Sequence, residues 1–133
     1  MSDLVLEFLD VTKGYRGLRP LRIRHLELRE AQTLAVTGVD QAAAEIFVNL
    51  ATGATVPDAG DVRVFGESTA GITDADAWLA SLDRFGILSE RAVVLDGLNA
   101  LQNIAMPFTL EVDPLPQPLR ARPIGLAREV GLE

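Results

Sequence analysis

The chain has 133 residues, 48% of them apolar, enough for one folded domain with a core. Nineteen Asp and Glu against twelve Lys and Arg leave a net charge of −7, which argues against a nucleic-acid footprint. With no cysteine and a single histidine, His25, a disulfide framework, a thiolate site and a His-rich metal site are all excluded.

Leu4 to Val11 alternates as a strand, with Leu4, Leu6 and Phe8 on one face. TKGYRG, residues 12–17, is a turn. Leu21 to Glu30 alternates again, but its phase slips at His25: Leu21 and Ile23 share one parity, Leu26 and Leu28 the other. A one-residue slip predicts a β-bulge there, and it leaves His25 a structural role. Short turns between these runs predict a small antiparallel sheet.

Thr33 to Gly53, TLAVTGVDQAAAEIFVNLATG, predicts a buried strand at Leu34–Val36, a tight turn at Thr37-Gly38, and a helix. That helix places Ile46, Phe47 and Leu50 on one apolar face, and Gly53 sits at its C-terminal stop. Asp40 is the expected N-cap, with the helix starting near Asp40 or Gln41. Strand, glycine turn and helix N-terminus form the frame of a phosphate-binding loop. The spacing G-x-x-x-x-G-K-[ST], counted from Gly38, puts its second glycine at Ala43, its lysine at Ala44 and its hydroxyl at Glu45. All three chemical groups are absent, and Asp40 and Glu45 add two carboxylates. From the residues alone, a plain strand–turn–helix unit outweighs a working nucleotide site.

Pro57-Asp58-Ala59-Gly60 is a turn. Asp61 to Phe65 is a short strand ended by Gly66. Asp74 caps a helix whose apolar stripe is Trp78, Leu79, Leu82 and Phe85. Trp78 is read as packing rather than as a ligand platform. Gly86-Ile87-Leu88 reads as another strand, and the stretch to Phe108 as mostly helical after Asn99. Four prolines between Asp113 and Pro123 predict a stiff connector or an exposed loop. A last helix runs from about Pro123 to Val130, stopped by Gly131. No apolar run approaches the ~18 residues that span a bilayer. The N-terminus MSDLVLEF has no basic region ahead of its apolar residues, as a secretory signal would. The expected location is the cytoplasm, with docking on a membrane protein left open.

Together these residues resemble the N-terminal half of an ATP-binding cassette (ABC) transporter ATPase, from about Leu4 to Leu132. LEFLDVTKGY resembles the family's first strand and its adenine-stacking aromatic, here Tyr15. VTG at 36–38 resembles the opening of the phosphate loop. TGATVPDAGDVRVFG, Thr52 to Gly66, resembles the stretch after the first helix and is the most specific match. LNALQNIAMPF, Leu98 to Phe108, resembles the permease-facing segment after the glutamine loop, whose glutamine position is Glu90. AREVGL, Ala127 to Leu132, resembles the end of the first helix pair in the helical subdomain.

The resemblance implies an α/β fold: a small N-terminal antiparallel β subdomain, part of a P-loop NTPase-like (RecA-like) core, and the start of a helical subdomain. It implies one truncated or naturally short nucleotide-binding domain over residues 1–133. The implied nucleotide site is Tyr15 with Gly38, Val39, Asp40, Gln41, Ala42, Ala43, Ala44 and Glu45. The implied cofactors are ATP and Mg, with binding weak or lost in this chain, no catalytic residue and no metal ligand. The family's signature motif, catalytic glutamate and switch histidine have no match within residue 133, so no hydrolysis is expected from this chain alone. The implied partner is a membrane permease, with the protein peripheral on the inner face of the cytoplasmic membrane. Tyr15 has the competing reading of an aromatic packed on its own turn, and Glu90 that of a solvated loop carboxylate.

The second functional reading is a non-catalytic regulatory or interaction module on a degenerate cassette. A small α/β enzyme finds no Ser/His/Asp set, metal cluster or paired carboxylates to support it. An unpaired edge at Leu34–Val36 and the weakly charged stretch Val93–Phe108 predict a homo-oligomer.

Overall fold

The computed structural model describes residues 3–89 and 94–132. The chain forms two compact units, residues 1–87 and 88–133.

In the first unit, β1 (Leu4–Lys13) pairs antiparallel with β2 (Leu21–Arg29) and with β3 (Ala59–Val64), and β3 turns into the two-residue β4 (Glu67–Ser68). The sheet order is β2-β1-β3-β4. α1 (Gln41–Ala51) packs on this sheet. Its Leu50 and Ala51 join Phe8, Val11 and Val62 in one buried cluster, flanked by Ile46 and Phe47. The Phe8 and Phe47 rings stack, with centroids 4.9 Å apart and planes 6° from parallel.

The phase slip at His25 is real, but it is not a register shift against β1. His25 pairs with Leu9, Ile23 with Val11 and Leu26 with Phe8, in one continuous register. β1 slips at the matching point, where Asp10 takes φ 48° and the pairing with β3 shifts between Leu9 and Thr12. Both strands thus change parity together. This lets Phe8 and Val11, three residues apart, share one core. Gly60, at φ 83°, faces this kink: a Cβ there would lie 2.3 Å from the Asp10 carbonyl oxygen and 2.4 Å from that of Leu9. Only glycine fits so close a backbone approach. A second register shift lies in β1 between Leu4 and Leu6.

Two predicted strands do not form. Leu34–Val36 lies outside the sheet, with Leu34 and Val36 both exposed. A strand exists only where a neighbour closes its hydrogen bonds, and among the described residues no ladder partner pairs with this one. Gly86-Ile87-Leu88 is likewise irregular, with Ile87 and Leu88 exposed. The hairpin to β4 is the reverse case. Phe65 (φ 50°) and Gly66 (φ 80°) make a two-residue turn with both central residues left-handed, the form that matches strand twist. β4 leaves no sequence signal past Gly66, because two residues are too few to show an alternation.

α2 (Ala75–Leu82) starts where Asp74 accepts the Ala77 N–H at 2.7 Å. Trp78 is a packing residue: its ring covers Gly53 and its Nε1 donates to the Thr52 carbonyl at 3.2 Å. Leu82 and Phe85 are half-buried beside it, whereas Leu79 is exposed and does not belong to the stripe.

Two carboxylates pin the loops of this unit. Asp58 accepts from the Gly14 N–H at 2.7 Å and from Lys13 Nζ at 3.2 Å. Asp61 accepts from Ser68 Oγ and from Arg63 Nε. The Gly14 amide and then Lys13 hold Asp58 below the usual carboxylate range, and Ser68 and then Arg63 do the same for Asp61. Both pKa values are depressed on folding. Their stabilisation is therefore present above the unfolded value, about 3.9, and is lost as pH falls through the folded one. Thermal melts followed by circular dichroism are expected to show Tm falling as pH drops below about 4. The double variant Asp58→Asn, Asp61→Asn is expected to flatten that fall; an unchanged slope would refute the assignment.

The second unit holds α3 (Ala100–Ala105) and α4 (Ala121–Glu129). Asn99 and Gln102 close a capping box, each side chain bonded to the other residue's N–H at 2.9 Å. The Asn103 side chain holds the preceding turn through the backbones of Leu95, Leu98 and Asn99. The proline-rich stretch is more built than a loop. Leu115 and Pro123 are buried, and Arg120 Nε donates to the Leu115 carbonyl at 3.1 Å. α4 starts at Ala121, which places Pro123 in its first turn. It ends in a Schellman motif: Gly131 is at φ 80°, its N–H bonds to the Arg128 carbonyl, and the Leu132 N–H to that of Ala127.

Candidate functional site

Gly38, at φ 76°, turns the chain toward α1 with open space around its Cα. The helix starts two residues after Val39, and Asp40 is its N-cap. The Asp40 carboxylate accepts the Ala43 N–H at 2.8 Å, and its carbonyl accepts the Ala44 N–H at 2.9 Å. The first helical turn is rich in good helix formers, Gln41 to Glu45, so no wide loop remains to wrap an anion. A helix N-terminus attracts phosphate because its N–H groups and partial positive charge point outward. Here the chain's own carboxylate already sits on that end.

The three diagnostic positions are placed accordingly. Ala43, at the second-glycine position, is buried in the core. Ala44, at the lysine position, and Glu45, at the hydroxyl position, are half-buried one step further along α1. The groups that would take the phosphates and magnesium of MgATP are therefore not present, and the residues that replace them do not fit that ligand. Tyr15 lies in the β1–β2 loop, half-buried, with its ring folded over Gly17. Among the described residues, no ring contact or hydrogen bond joins Tyr15 to the Gly38–Ala44 segment. Glu90, the glutamine-loop position, lies outside the described residues.

Other features escape a residue-by-residue reading. Thr69 is buried with its Oγ1 unpartnered among the described residues. Six of the twelve Lys and Arg fall between Lys13 and Arg29, a stretch with one carboxylate, Glu27. The net charge of the whole chain hides that run, and a windowed charge count would have found it. In the second unit, Leu101, Ile104, Ile124 and Leu132 line an apolar cleft of about 650 Å³ between α3 and α4. Arg122 lies 4.2 Å over the Phe108 ring.

No protein-family model matches the chain. It is 28% identical over 111 residues to the lipoprotein-releasing system ATP-binding protein LolD of Saccharophagus degradans, covering 80% of this chain and 49% of that one. It is 30% identical over 130 residues to the methionine import ATP-binding protein MetN of Caulobacter vibrioides, covering 96% of this chain and 39% of that one. The chain spans about half the length of the LolD relatives it matches. Its fold matches the ATP-binding cassette MJ0796, solved as a dimer in a post-hydrolysis state with ADP and Pi. The TM-score is 0.71 at 19% identity, over 96% of this chain and 58% of that one. Antiparallel β subdomain, partial P-loop NTPase-like core and first helices follow one another as in that fold. The chain resembles the N-terminal half of an ABC transporter ATPase, with alanine and glutamate at the lysine and hydroxyl positions of its phosphate loop.

Proposed function

We propose that this chain is the N-terminal part of one nucleotide-binding domain of an ABC transporter, residues 1–133, in which ATP binding is weak or lost. The observation that carries this reading is the Asp40 cap on α1, together with Ala44 and Glu45. Coupling to a membrane permease is the retained task, and it places the protein on the cytoplasmic face of the membrane. The apolar α3–α4 cleft suits it, because an amphipathic helix docks by laying its apolar face into such a groove. Calorimetric titration with MgATP tests the nucleotide half of the reading: micromolar affinity would overturn it.

The second reading, a regulatory module that needs no nucleotide, is favoured by the same cap. A photo-crosslinker at Leu101 separates the two. Capture of a permease supports the transporter subunit, and capture of a soluble protein alone supports the module.

Self-association belongs to both readings. Val94, Leu95 and Phe108 are exposed on the second unit, and Leu34 and Val36 on the first. Exposed apolar stretches of this kind are commonly covered by another chain. Light scattering is expected to give a dimer or higher oligomer, and a clean monomer at high concentration would refute this.

A further inference from the structure

The loop between β1 and β2, residues 14–20, carries the chain's one tyrosine, Tyr15. Its root is fixed. The Asp58 carboxylate accepts from the Gly14 N–H at 2.7 Å and from Lys13 Nζ at 3.2 Å, and the Asp58 N–H donates to the Thr12 carbonyl at 2.8 Å. Beyond that root, among the described residues, 15–20 make no backbone hydrogen bond. They make one close contact within the loop instead. A Cβ on Gly17 would lie 2.6 Å from Tyr15 Cε2, 2.8 Å from Cζ and 3.0 Å from Oη. Gly17 does not take a positive φ, so the backbone by itself does not require glycine there. The ring does, because it rests against the bare Cα. Gly71 is the contrast, with open space around its Cα. All of these contacts are internal to the first unit.

We propose that Gly17 and Asp58 are positioning residues that hold the Tyr15 ring as a one-sided stacking platform for a planar heteroaromatic ligand of the nucleobase class. The proposal rests on the reading of Tyr15 as a base-stacking aromatic, and it adds what readies the ring for that role. A loose tyrosine loses side-chain freedom when a ligand orders it, and that loss comes off the affinity. Gly17 takes up one side of the ring, so the ring is ordered before the ligand arrives. Asp58 fixes the backbone from which both the ring and its seat project. A Cβ cannot enter at 2.6 Å, and the ring is the far end of a side chain that turns about χ1 and χ2. Gly17→Ala therefore moves the ring rather than the backbone. Among the described residues neither an aromatic ring nor a cation is seated on Tyr15, so a π-face remains for a base. Stacking needs no phosphate, so the platform is independent of the lysine missing at Ala44.

The probe is adenosine, which carries a base and no phosphate. Because Tyr15 is the only tyrosine, its ring protons are read without ambiguity by NMR on the whole chain. The native ring is expected to show NOEs to the Gly17 α-protons, and adenosine is expected to shift the ring signals upfield in a saturable way. Gly17→Ala is expected to lower adenosine affinity by at least about threefold, since only a fraction of the rings then stands in the binding position. Asp58→Ala is expected to weaken both the NOEs and the affinity. Asp58→Asn keeps an acceptor for the Gly14 N–H and is expected to restore most of both. Tyr15→Leu is expected to abolish binding, and Gly71→Ala, the control, to change neither readout. Circular dichroism checks that each variant folds. The proposal is overturned if the native chain does not bind adenosine, if Tyr15→Leu leaves binding intact, or if Gly17→Ala leaves the affinity unchanged or raises it. It is overturned as well if the native ring shows no NOE to Gly17. MgATP is titrated separately: micromolar affinity there would refute the weakened phosphate site and leave the platform standing.

Discussion

Combining Ala43→Gly, Ala44→Lys and Glu45→Ser is expected to raise MgATP affinity by at least about tenfold over the native chain, for which no micromolar binding is expected. The lysine restores a charge for the terminal phosphates, the serine a hydroxyl for magnesium, and the glycine the backbone freedom of a wrapped loop. The obstacle that remains is Asp40, whose carboxylate sits on the Ala43 N–H at 2.8 Å. A phosphate charge about 4 Å from that carboxylate costs about 4 kcal/mol at an effective dielectric of about 20. Adding Asp40→Asn keeps an N-cap acceptor and removes the charge, so a further gain is expected. Isothermal titration calorimetry with and without magnesium reads each step. No gain from the triple variant would mean that the turn at Gly38 is not a phosphate loop at all.

Phe8→Ala is expected to destabilise the first unit by about 3–5 kcal/mol. Phe8 is 0% exposed and lies at the centre of the sheet, paired to Leu26 on one side and Val62 on the other. Its ring stacks on Phe47 of α1, so truncation removes both the buried area and the contact that holds the helix to the sheet. A loss of this size is a large part of the total stability of an ordinary domain, about 5–15 kcal/mol. Trp78, the chain's one tryptophan, packs over Gly53 in the same unit, and its fluorescence follows urea unfolding there. Leu18→Ala is the control: Leu18 is fully exposed in the same unit, and a change within about 0.5 kcal/mol is expected. A Phe8→Ala loss below about 1 kcal/mol would show that the core is not organised as described.

The absence of the lysine and hydroxyl at the phosphate-loop spacing is legible in the sequence because it depends on residue identity and spacing alone. Gly38 with Ala43, Ala44 and Glu45 implies a helix starting near Asp40 and capped by it, and α1 starts at Gln41 with Asp40 as its cap. Glu90 could be assigned only through the resemblance. Tyr15 is ambiguous in sequence, since a ring in a turn packs on its own loop or on a ligand; its ring folds over Gly17. The clamp of Asp58 on Gly14 is not legible there. The two lie 44 residues apart, and only packing brings them together.

By itself the sequence determined where α1, α2 and α3 begin and where α1 and α4 stop, because capping is settled within four residues; the start of α4 at Ala121, ahead of Pro123, and the end of α3 at Ala105 were not read from it. Asp40, Asp74 and Asn99 each bond the N–H three positions on, and Gly53 and Gly131 take the left-handed conformation past the last turn. It also determined the antiparallel pairing of the first two strands, through their alternation and the short turn between them. Tertiary structure alone decided how the slips at Asp10 and His25 match, and why Gly60 must be glycine. It alone decided that Leu34–Val36 stays outside the sheet, although its residues favour a strand. A strand and a close backbone approach are properties of two segments at once, and neither segment encodes the other's position.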